Sequence, residues 1–332
     1  RRRHTRCAIK SRGLGDVYKR QALYSVVIPV GSRVDDLPTL IDEYAEALRS
    51  AEVRFEVVVV LDGTTGPLLE TLRSYSAGLD WLKVIRFSRE FGESVALMAG
   101  FREAQGEVLL TLPAYWQVKP SEIPDLINAE NDEDDLLIAV RSPRSGSAFE
   151  QFRRNMFHGI LKFITGQSYR DLGCGVRLLK RAVVDEVPLY GDQHRFLPML
   201  AFRRGFNVRE VELTQSPKDI FHGRYRLREY LHRVLDILTV FFLVRFTKKP
   251  LRFFGSVGFL TAGFGSIFVL ILVTQRLFFG MPLADRPALL LASLLIVLGV
   301  QLFGLGLLGE LIIYSHAGDS KEYTIRSIKS SK

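Results

Sequence analysis

The chain has 332 residues, which leaves room for about two domains of roughly 150 residues each. Its formal net charge of +9 comes mostly from residues 1–21, which carry eight Lys or Arg against one acid and so supply +7. Because the remainder is nearly neutral, the charge does not indicate a nucleic-acid partner. With only Cys7 and Cys174, the chain has neither a disulfide framework nor a cysteine-rich zinc site.

The basic leader, residues 1–21, lacks the apolar core of a signal peptide. It is either a disordered basic arm or a non-native extension, since its segment GLGDVYKRQ resembles translated sequencing-adapter read-through. We favour the non-native extension and leave the leader out of the predicted fold.

Residues 22–220 alternate short apolar runs, rich in β-branched side chains, with segments of helical periodicity. This alternation predicts an α/β domain with a mostly parallel sheet and right-handed crossovers. The predicted strands are Tyr24–Val30, Phe55–Leu61, Leu82–Phe87, Val108–Leu112, Leu136–Val140 and Val208–Leu213, with Arg170–Lys180 a loop or strand. The predicted helices are Leu37–Leu48 with Asp35 and Asp36 as candidate caps, Pro67–Tyr75, Ser94–Gln105, one through Phe157–Ile164, and residues 182–204 with a break near Pro188–Gln193.

One segment, Glu107–Pro120 (EVLLTLPAYWQVKP), should lie at the mouth of any site in this domain. It begins as a buried strand and breaks at Pro113 into an aromatic loop. Ligands of open α/β sheets bind in the crevice beyond the carboxyl ends of the strands, which is where this loop follows. No carboxylate occurs between Glu107 and Glu122, so the loop itself offers no acidic ligand for a metal.

Two long apolar stretches follow, at about residues 253–275 and 288–312 within the region 251–316. About 20 apolar residues span a bilayer, so these stretches predict a C-terminal transmembrane hairpin; two buried helices of a soluble protein are the alternative. Lys and Arg flank both outer ends, including the tail 317–332, which places both termini and the N-terminal domain in the cytoplasm. Gly304, Gly306 and Gly309 form a small-residue face that would pack within the hairpin or against another helix.

The region 221–250 connects the two parts of the chain. Its segment Leu227–Phe246 mixes Arg, His and Asp with apolar residues at helical spacing. Such a segment is either an amphipathic helix in the membrane interface or an ordinary connecting helix.

Several motifs in this order resemble the family 2 glycosyltransferases of the dolichol-phosphate mannose synthase and bactoprenol glucosyltransferase group. The resemblance covers about residues 23–320 and rests on YSVVIPV, VVVVLDGTT, VIRFSREFGESVALMAGFREAQGEVLLTL, DLGCGVRLLKR, HRFLPML and GRYRLREYL. It implies a GT-A domain with a Rossmann-like sheet, a nucleotide-sugar donor, a polyprenyl phosphate acceptor and a place in the bacterial inner membrane. A lipid phosphate oxygen would attack the anomeric carbon with inversion.

The resemblance also implies roles for individual residues. Asp171 and Arg177 would be catalytic, with Asp171 orienting the acceptor. The residues that would bind the nucleotide-sugar are Pro29, Val30, Asp62, Gln117, His194 and Arg195. The residues that would bind the acceptor phosphate are Arg141, Arg153, Arg154 and Arg177. Ordinary alternatives are a turn role for Asp62, a structural role for His194 and a solvated basic face for the arginines; Cys174 is expected to be a packed thiol.

The donor side departs from the family pattern at several points. Gly31, Ser32 and Arg33 replace a Tyr-Asn-Glu-like run after the first strand, and Glu90 replaces an Asn. The metal motif Asp-x-Asp-x-Gln reads Pro113-Ala114-Tyr115-Trp116-Gln117, in which only Gln117 remains. Mg²⁺ or Mn²⁺ is usual in the family, but these residues predict no bound metal.

Two functions remain open at this point. The chain is an active transferase in which Arg141, Arg153, Arg154 and Lys119 replace the charge of a metal, or it is a non-catalytic relative that keeps the lipid-phosphate pocket. In the second case it would be a binding or assembly partner of an active paralogue or a flippase. A homo-oligomer is a further expectation.

Overall fold

The structure, a computed structural model, describes residues 22–31, 33–63, 66–143, 159, 169–189, 191, 193–219, 250–280 and 287–316. Several predictions lie outside the described residues: the leader 1–21, Arg153 and Arg154, the helix through Phe157–Ile164, the connecting segment 221–249 and the tail 317–332. The chain divides into two compact units, Arg1–Arg226 and Leu227–Lys332.

The first unit is an α/β domain, which confirms the predicted fold class. Its strands are β1 (Leu23–Val30), β2 (Arg54–Leu61), β3 (Leu82–Arg86), β4 (Val108–Thr111), β5 (Leu136–Arg141), β6 (Arg177–Lys180) and β7 (Val208–Leu213). Its helices are α1 (Leu37–Ser50), α2 (Pro67–Ser76), α3 (Glu93–Glu103), α4 (Ile123–Ala129), α5 (Arg181–Glu186) and α6 (Leu197–Arg203), with short 3₁₀ turns at Pro120–Glu122 and Gln193–Phe196.

The seven strands form one sheet in the order β3-β2-β1-β4-β6-β5-β7. Strands β1, β2, β3 and β4 run parallel to one another, whereas β6 runs antiparallel to both β4 and β5. The chain moves outward from β1 through β2 to β3 and then returns to place β4 on the other side of β1. The direction of winding therefore reverses between β1 and β4, which is the topological switch point of the sheet.

The central strands of the sheet are buried on both faces because helices cover the sheet. In β2 the residues from Val57 to Leu61 are buried without alternation, as expected for a central parallel strand. Helix α1 covers one face with Leu37, Leu40 and Leu48. Asp36 is the N-cap residue of α1, as predicted, although its carboxylate accepts the Thr39 hydroxyl and makes no cap hydrogen bond to a backbone N–H.

The second unit contains two helices, α7 (Pro250–Phe279) and α8 (Pro287–His316), which pack as the predicted hairpin. Both are long and apolar enough to cross a membrane. Glycines permit the close contact, because a Cβ on Gly258 would lie 2.5 Å from the carbonyl oxygen of Gly299. Of the predicted small-residue face, Gly306 and Gly309 contact α7, whereas a Cβ on Gly304 would meet nothing within 4 Å.

Candidate active site

The loops that follow β1 and β4 meet over the switch point. Asp35, in the loop after β1, donates its backbone N–H to Ala114 O at 3.0 Å and accepts the Trp116 N–H on its carboxylate at 3.1 Å. The Tyr44 hydroxyl of α1 donates to Pro113 O at 3.1 Å. The aromatic loop is thus held by α1 and its leading residues, which explains how a segment without regular structure stays in place.

Gln117 ties this loop to the glycine-rich loop before β6. Its side-chain amide donates to Gly173 O and to the Tyr115 hydroxyl, both at 3.1 Å, and accepts the Gly175 N–H at 2.7 Å. The side chain is buried, and both ends of the amide are engaged. Its position therefore serves the contact between two loops, and a donor-binding role for Gln117 stays a prediction.

The residues at the family's metal motif do not fit a divalent cation. The Pro113 side chain has no ligand atom, and the Gln117 amide oxygen already accepts the Gly175 N–H. Burial raises the pKa of Tyr115 to about 12, so its phenol remains neutral. Across the described ranges, no group of three or more His, Cys, Asp or Glu is placed to hold a metal ion. Hard cations prefer carboxylate oxygens, and this donor set supplies none.

Arg141, at the end of β5, forms a buried ion cluster with two carboxylates. Its guanidinium bonds Asp171 in two places, Nε to Oδ2 at 2.7 Å and Nη2 to Oδ1 at 3.0 Å, and its Nη1 bonds Asp219 at 3.0 Å. Hydrogen bonds and charge from Asp171 raise the pKa of Arg141 although burial opposes this. The predicted pair Arg141 and Asp171 is brought together, but Arg141 would have to share its donors to bind a phosphate.

Arg33 lies beside this cluster, in the loop after β1. Its Nη1 donates to the other oxygen of Asp219 at 3.1 Å, and its guanidinium carbon lies 3.8 Å from the centre of the Tyr115 ring. A guanidinium over an aromatic face is stabilised by the negative ring face. Asp219 consequently bridges Arg33 and Arg141, and Tyr115 occupies the space between the two loops.

Arg177, the first residue of β6, is a buried cation of a different kind. It donates to the carbonyl oxygens of His194 and Leu172, and among the described residues it has no hydrogen bond to a carboxylate. Burial lowers the pKa of Arg177 below its ordinary value. A buried positive charge that is not neutralised by a bonded carboxylate suits an anionic ligand, which supports the predicted phosphate-binding role.

His194 lies in a chain of polar contacts at the start of α3. Its Nδ1 is 3.3 Å from the Ser94 hydroxyl, and its Nε2 is 3.2 Å from a Glu93 carboxylate oxygen. Burial first, and then the charges of Arg195 and Arg177, lower the pKa of His194 to about 3. Glu93 acts in the opposite direction, but it is half exposed, so water screens its charge. His194 is therefore neutral and donates from Nε2 to Glu93.

The other predicted donor-side residues occupy the same edge of the sheet. Asp62 follows β2 and accepts the backbone N–H groups of Phe91 and Gly92 at 2.7 and 2.8 Å, which orders the entry to α3. The Val30 carbonyl oxygen accepts the Asp62 N–H, and Pro29 is partly exposed. Arg195 is exposed next to His194. Direct contacts of these residues with a nucleotide-sugar stay predictions.

Gly63 shows how tightly the turn after β2 packs. Its φ is +68°, and a Cβ there would lie 2.4 Å from the backbone nitrogen of Glu90. Only glycine permits both the left-handed conformation and this close approach. The Gly63 turn therefore holds the Glu90 segment next to Asp62.

Cys174 is a buried free thiol in the glycine-rich loop before β6. Burial raises its pKa to about 11, so the thiol is not ionised near neutral pH. These properties agree with the expected packed thiol and not with a nucleophile.

Sequence reasoning missed three residues of this site. Asp219 follows the last strand in a polar stretch and carries no motif, and Glu93 and Ser94 lie in a segment that reads only as the start of a helix. In the sequence, Arg33 stands out only as a departure from the family pattern. A cation directly after the first strand, paired with an aromatic residue after the fourth, is the signal that could have identified it.

Known proteins resemble this chain over most of its length. The family described as Glycosyl transferase family 2 matches residues 25–188. The undecaprenyl-phosphate 4-deoxy-4-formamido-L-arabinose transferase of Yersinia pestis is 30% identical over 308 residues, which cover 92% of this chain and 93% of that protein. The dodecaprenyl-phosphate galacturonate synthase of Rhizobium johnstonii is 28% identical over 325 residues, 96% of each chain.

Solved structures support the fold. The mannosyl-3-phosphoglycerate synthase of Rubrobacter xylanophilus superposes with a TM-score of 0.51 at 14% identity, covering 70% of this chain and 77% of that one. At this identity the likeness concerns the GT-A fold alone. The sequence matches over nearly the whole of both chains carry the assignment further: this protein belongs to the family 2 glycosyltransferases.

Proposed function

We propose that the protein transfers a sugar from a nucleotide-sugar to a polyprenyl phosphate at a membrane surface. The observation that carries this proposal is the match, over more than nine-tenths of each chain, to transferases whose names specify undecaprenyl or dodecaprenyl phosphate. The match extends through the region of α7 and α8, the two helices long enough to cross a membrane. A lipid-linked acceptor and a membrane hairpin belong together physically, because the hairpin keeps the domain near its substrate.

The reaction would form one bond and break another at the anomeric carbon. A phosphate oxygen of the lipid attacks that carbon, and the bond to the diphosphate oxygen breaks, so the nucleoside diphosphate leaves with the electron pair. The attacking phosphate is already ionised near neutral pH and needs little help from a base. Stabilising the charge of the leaving diphosphate is the larger demand, and positively charged side chains meet it.

We also propose that the transfer needs no resident Mg²⁺ or Mn²⁺. The support is the donor set at the family's metal motif, where Pro113, Tyr115 and the engaged Gln117 replace a carboxylate site. Arg177 would then bind the acceptor phosphate from β6, with Arg141 and Asp171 as its rigid neighbours. The predicted orientation, with both termini in the cytoplasm, rests on the Lys and Arg residues that flank the hairpin.

The test uses the full chain purified in detergent. It is mixed with undecaprenyl phosphate and a panel of UDP-, GDP- and ADP-sugars, in EDTA and separately in Mn²⁺, and glycolipid formation is followed by mass spectrometry. We expect turnover with at least one donor, unchanged by EDTA. Lipid-phosphate binding without turnover and without donor binding would overturn the proposal in favour of a non-catalytic partner, which the named relatives do not favour.

A further inference from the structure

Arg33 and Tyr115 meet at the one point of the sheet where the winding reverses. Arg33 follows β1 and Tyr115 follows β4, and these two strands are adjacent and parallel. Their contact, 3.8 Å from the guanidinium carbon to the ring centre, therefore lies over the crevice where open α/β sheets bind ligands. Tyr115 also stands at the second acidic position of the family's metal motif.

The environment of Arg33 differs from that of the other arginine bonded to Asp219. The side chain of Arg141 is 8% exposed, and its three nitrogens all donate hydrogen bonds to carboxylate oxygens. The side chain of Arg33 is 30% exposed, and its Nη1 donates a hydrogen bond to Asp219. Within the described residues, Nε and Nη2 of Arg33 have no hydrogen-bond partner. A guanidinium that rests on a ring keeps its N–H donors in its own plane, available for a bidentate contact with phosphate.

We infer that Arg33 binds the diphosphate of the nucleotide donor, at the place where relatives with an acidic motif would hold a divalent cation. This inference rests on the proposed function. Tyr115 and Asp219 act as positioning residues: the ring supports the guanidinium plane and the carboxylate anchors Nη1. During transfer the departing oxygen gains the electron pair of the broken bond, and the remaining N–H donors of Arg33 stabilise that charge without transferring a proton.

The pair makes a specific demand on side-chain chemistry. Lysine at position 33 would keep the charge but lose the planar fork and the stacking contact, so it should restore binding only in part. Leucine at position 115 would remove the aromatic support, whereas phenylalanine would keep it. A simple structural clamp would not show this graded dependence in nucleotide affinity.

The experiment measures binding of UDP, GDP and ADP to the detergent-purified full chain by calorimetry in EDTA. The variants are Arg33→Gln, Arg33→Lys, Tyr115→Leu and Tyr115→Phe. Arg54→Gln is the matched control, because Arg54 is exposed at the opposite, amino end of the sheet. We expect at least a tenfold weaker Kd for Arg33→Gln, an intermediate value for Arg33→Lys, a weakening for Tyr115→Leu, and wild-type affinity for Tyr115→Phe and Arg54→Gln.

Thermal unfolding of each variant checks that the domain folds. If Arg33→Gln does not fold, the nucleotide affinity of Arg33→Lys tests the inference in its place. Wild-type affinity in Arg33→Gln, or nucleotide binding that appears only with Mn²⁺, would overturn the inference. If glycolipid still forms in that case, the proposed function stands and only the role of Arg33 is lost. A wild-type protein that binds none of the nucleotides and forms no glycolipid would overturn both.

Discussion

The site contains two centres that share Asp219 but differ in what surrounds them. In the cluster of Arg141, Asp171 and Asp219, burial is nearly complete, and within the described part of the chain each hydrogen bond of the guanidinium goes to a carboxylate. In the pair of Arg33 and Tyr115, the cation is partly exposed and rests on a ring. The comparison teaches that charge type alone does not identify a binding residue, because a saturated buried arginine stabilises the fold whereas an unsaturated one at a crevice can meet a ligand.

The largest expected effect comes from breaking the buried cluster. Asp171→Asn removes the bidentate carboxylate and leaves the buried Arg141 with Asp219 as its bonded carboxylate within the described residues. Removing one partner of a buried ion pair costs about 3–5 kcal/mol, and the retained shape of asparagine places this variant at the lower end. Thermal unfolding measures the loss. Asp80→Asn, at an exposed aspartate, is the control and should not change Tm; equal Tm values for both variants would contradict the assignment of the cluster as a scaffold.

The next effect tests Gln117, which joins the loop of Tyr115 to the glycine-rich loop before β6. Gln117→Glu would place a carboxylate against the Gly173 carbonyl, where the amide now donates, and would leave that carbonyl unsatisfied. A lost buried hydrogen bond of this kind costs about 1–3 kcal/mol. If Gln117 were instead a remaining metal ligand, the same substitution would raise the affinity of the protein for Mn²⁺. Calorimetry with Mn²⁺ and thermal unfolding separate these outcomes, with the exposed Gln105→Glu as control.

A third prediction concerns pH. The pKa of His194, about 3, lies below its ordinary value of 6.5, so the folded protein prefers the neutral imidazole. The contribution of the neutral His194 to stability is complete above pH 6.5 and is lost as pH falls toward 3. The cause is that the unfolded chain binds a proton on this imidazole in that range whereas the folded chain does not. The loss should reach about 2 kcal/mol at pH 5. In His194→Asn the fall in Tm between pH 7 and pH 5 should be smaller; an unchanged slope would show that His194 does not cause it.

The smallest effect belongs to the partly exposed pair of Arg33 and Tyr115. Tyr115→Phe removes the hydroxyl that accepts from Gln117, but Gln117 still donates to Gly173 and the ring still supports Arg33. The expected cost is one modest hydrogen bond, about 0.5–1 kcal/mol, seen as a small fall in Tm with unchanged nucleotide affinity. A loss as large as that of Asp171→Asn would mean that both centres are scaffold and would remove the distinction between them.

Much of the fold could be predicted because local pattern and burial agree. The predicted strand Val208–Leu213 has the observed bounds, and the β-branched run at Phe55–Leu61 is a strand from Arg54 to Leu61. The helix expected over residues 182–204 is interrupted as predicted near Pro188. In contrast, Asp35, the other candidate cap, is not the N-cap residue and instead holds the loop after β4 through Trp116. A hydrogen bond across 81 residues leaves no local trace.

The sequence by itself determined the α/β alternation, the apolar hairpin, the family and the loss of the metal motif, since each is written in local composition or in the order of motifs. Only the tertiary structure decided which charges are neutralised. Arg33, Arg141 and Asp219 are far apart in the chain and meet because β1 and β4 are neighbours and β5 ends at the same edge of the sheet. Burial and partner geometry, which are properties of that meeting, separate a structural arginine from one able to bind a diphosphate.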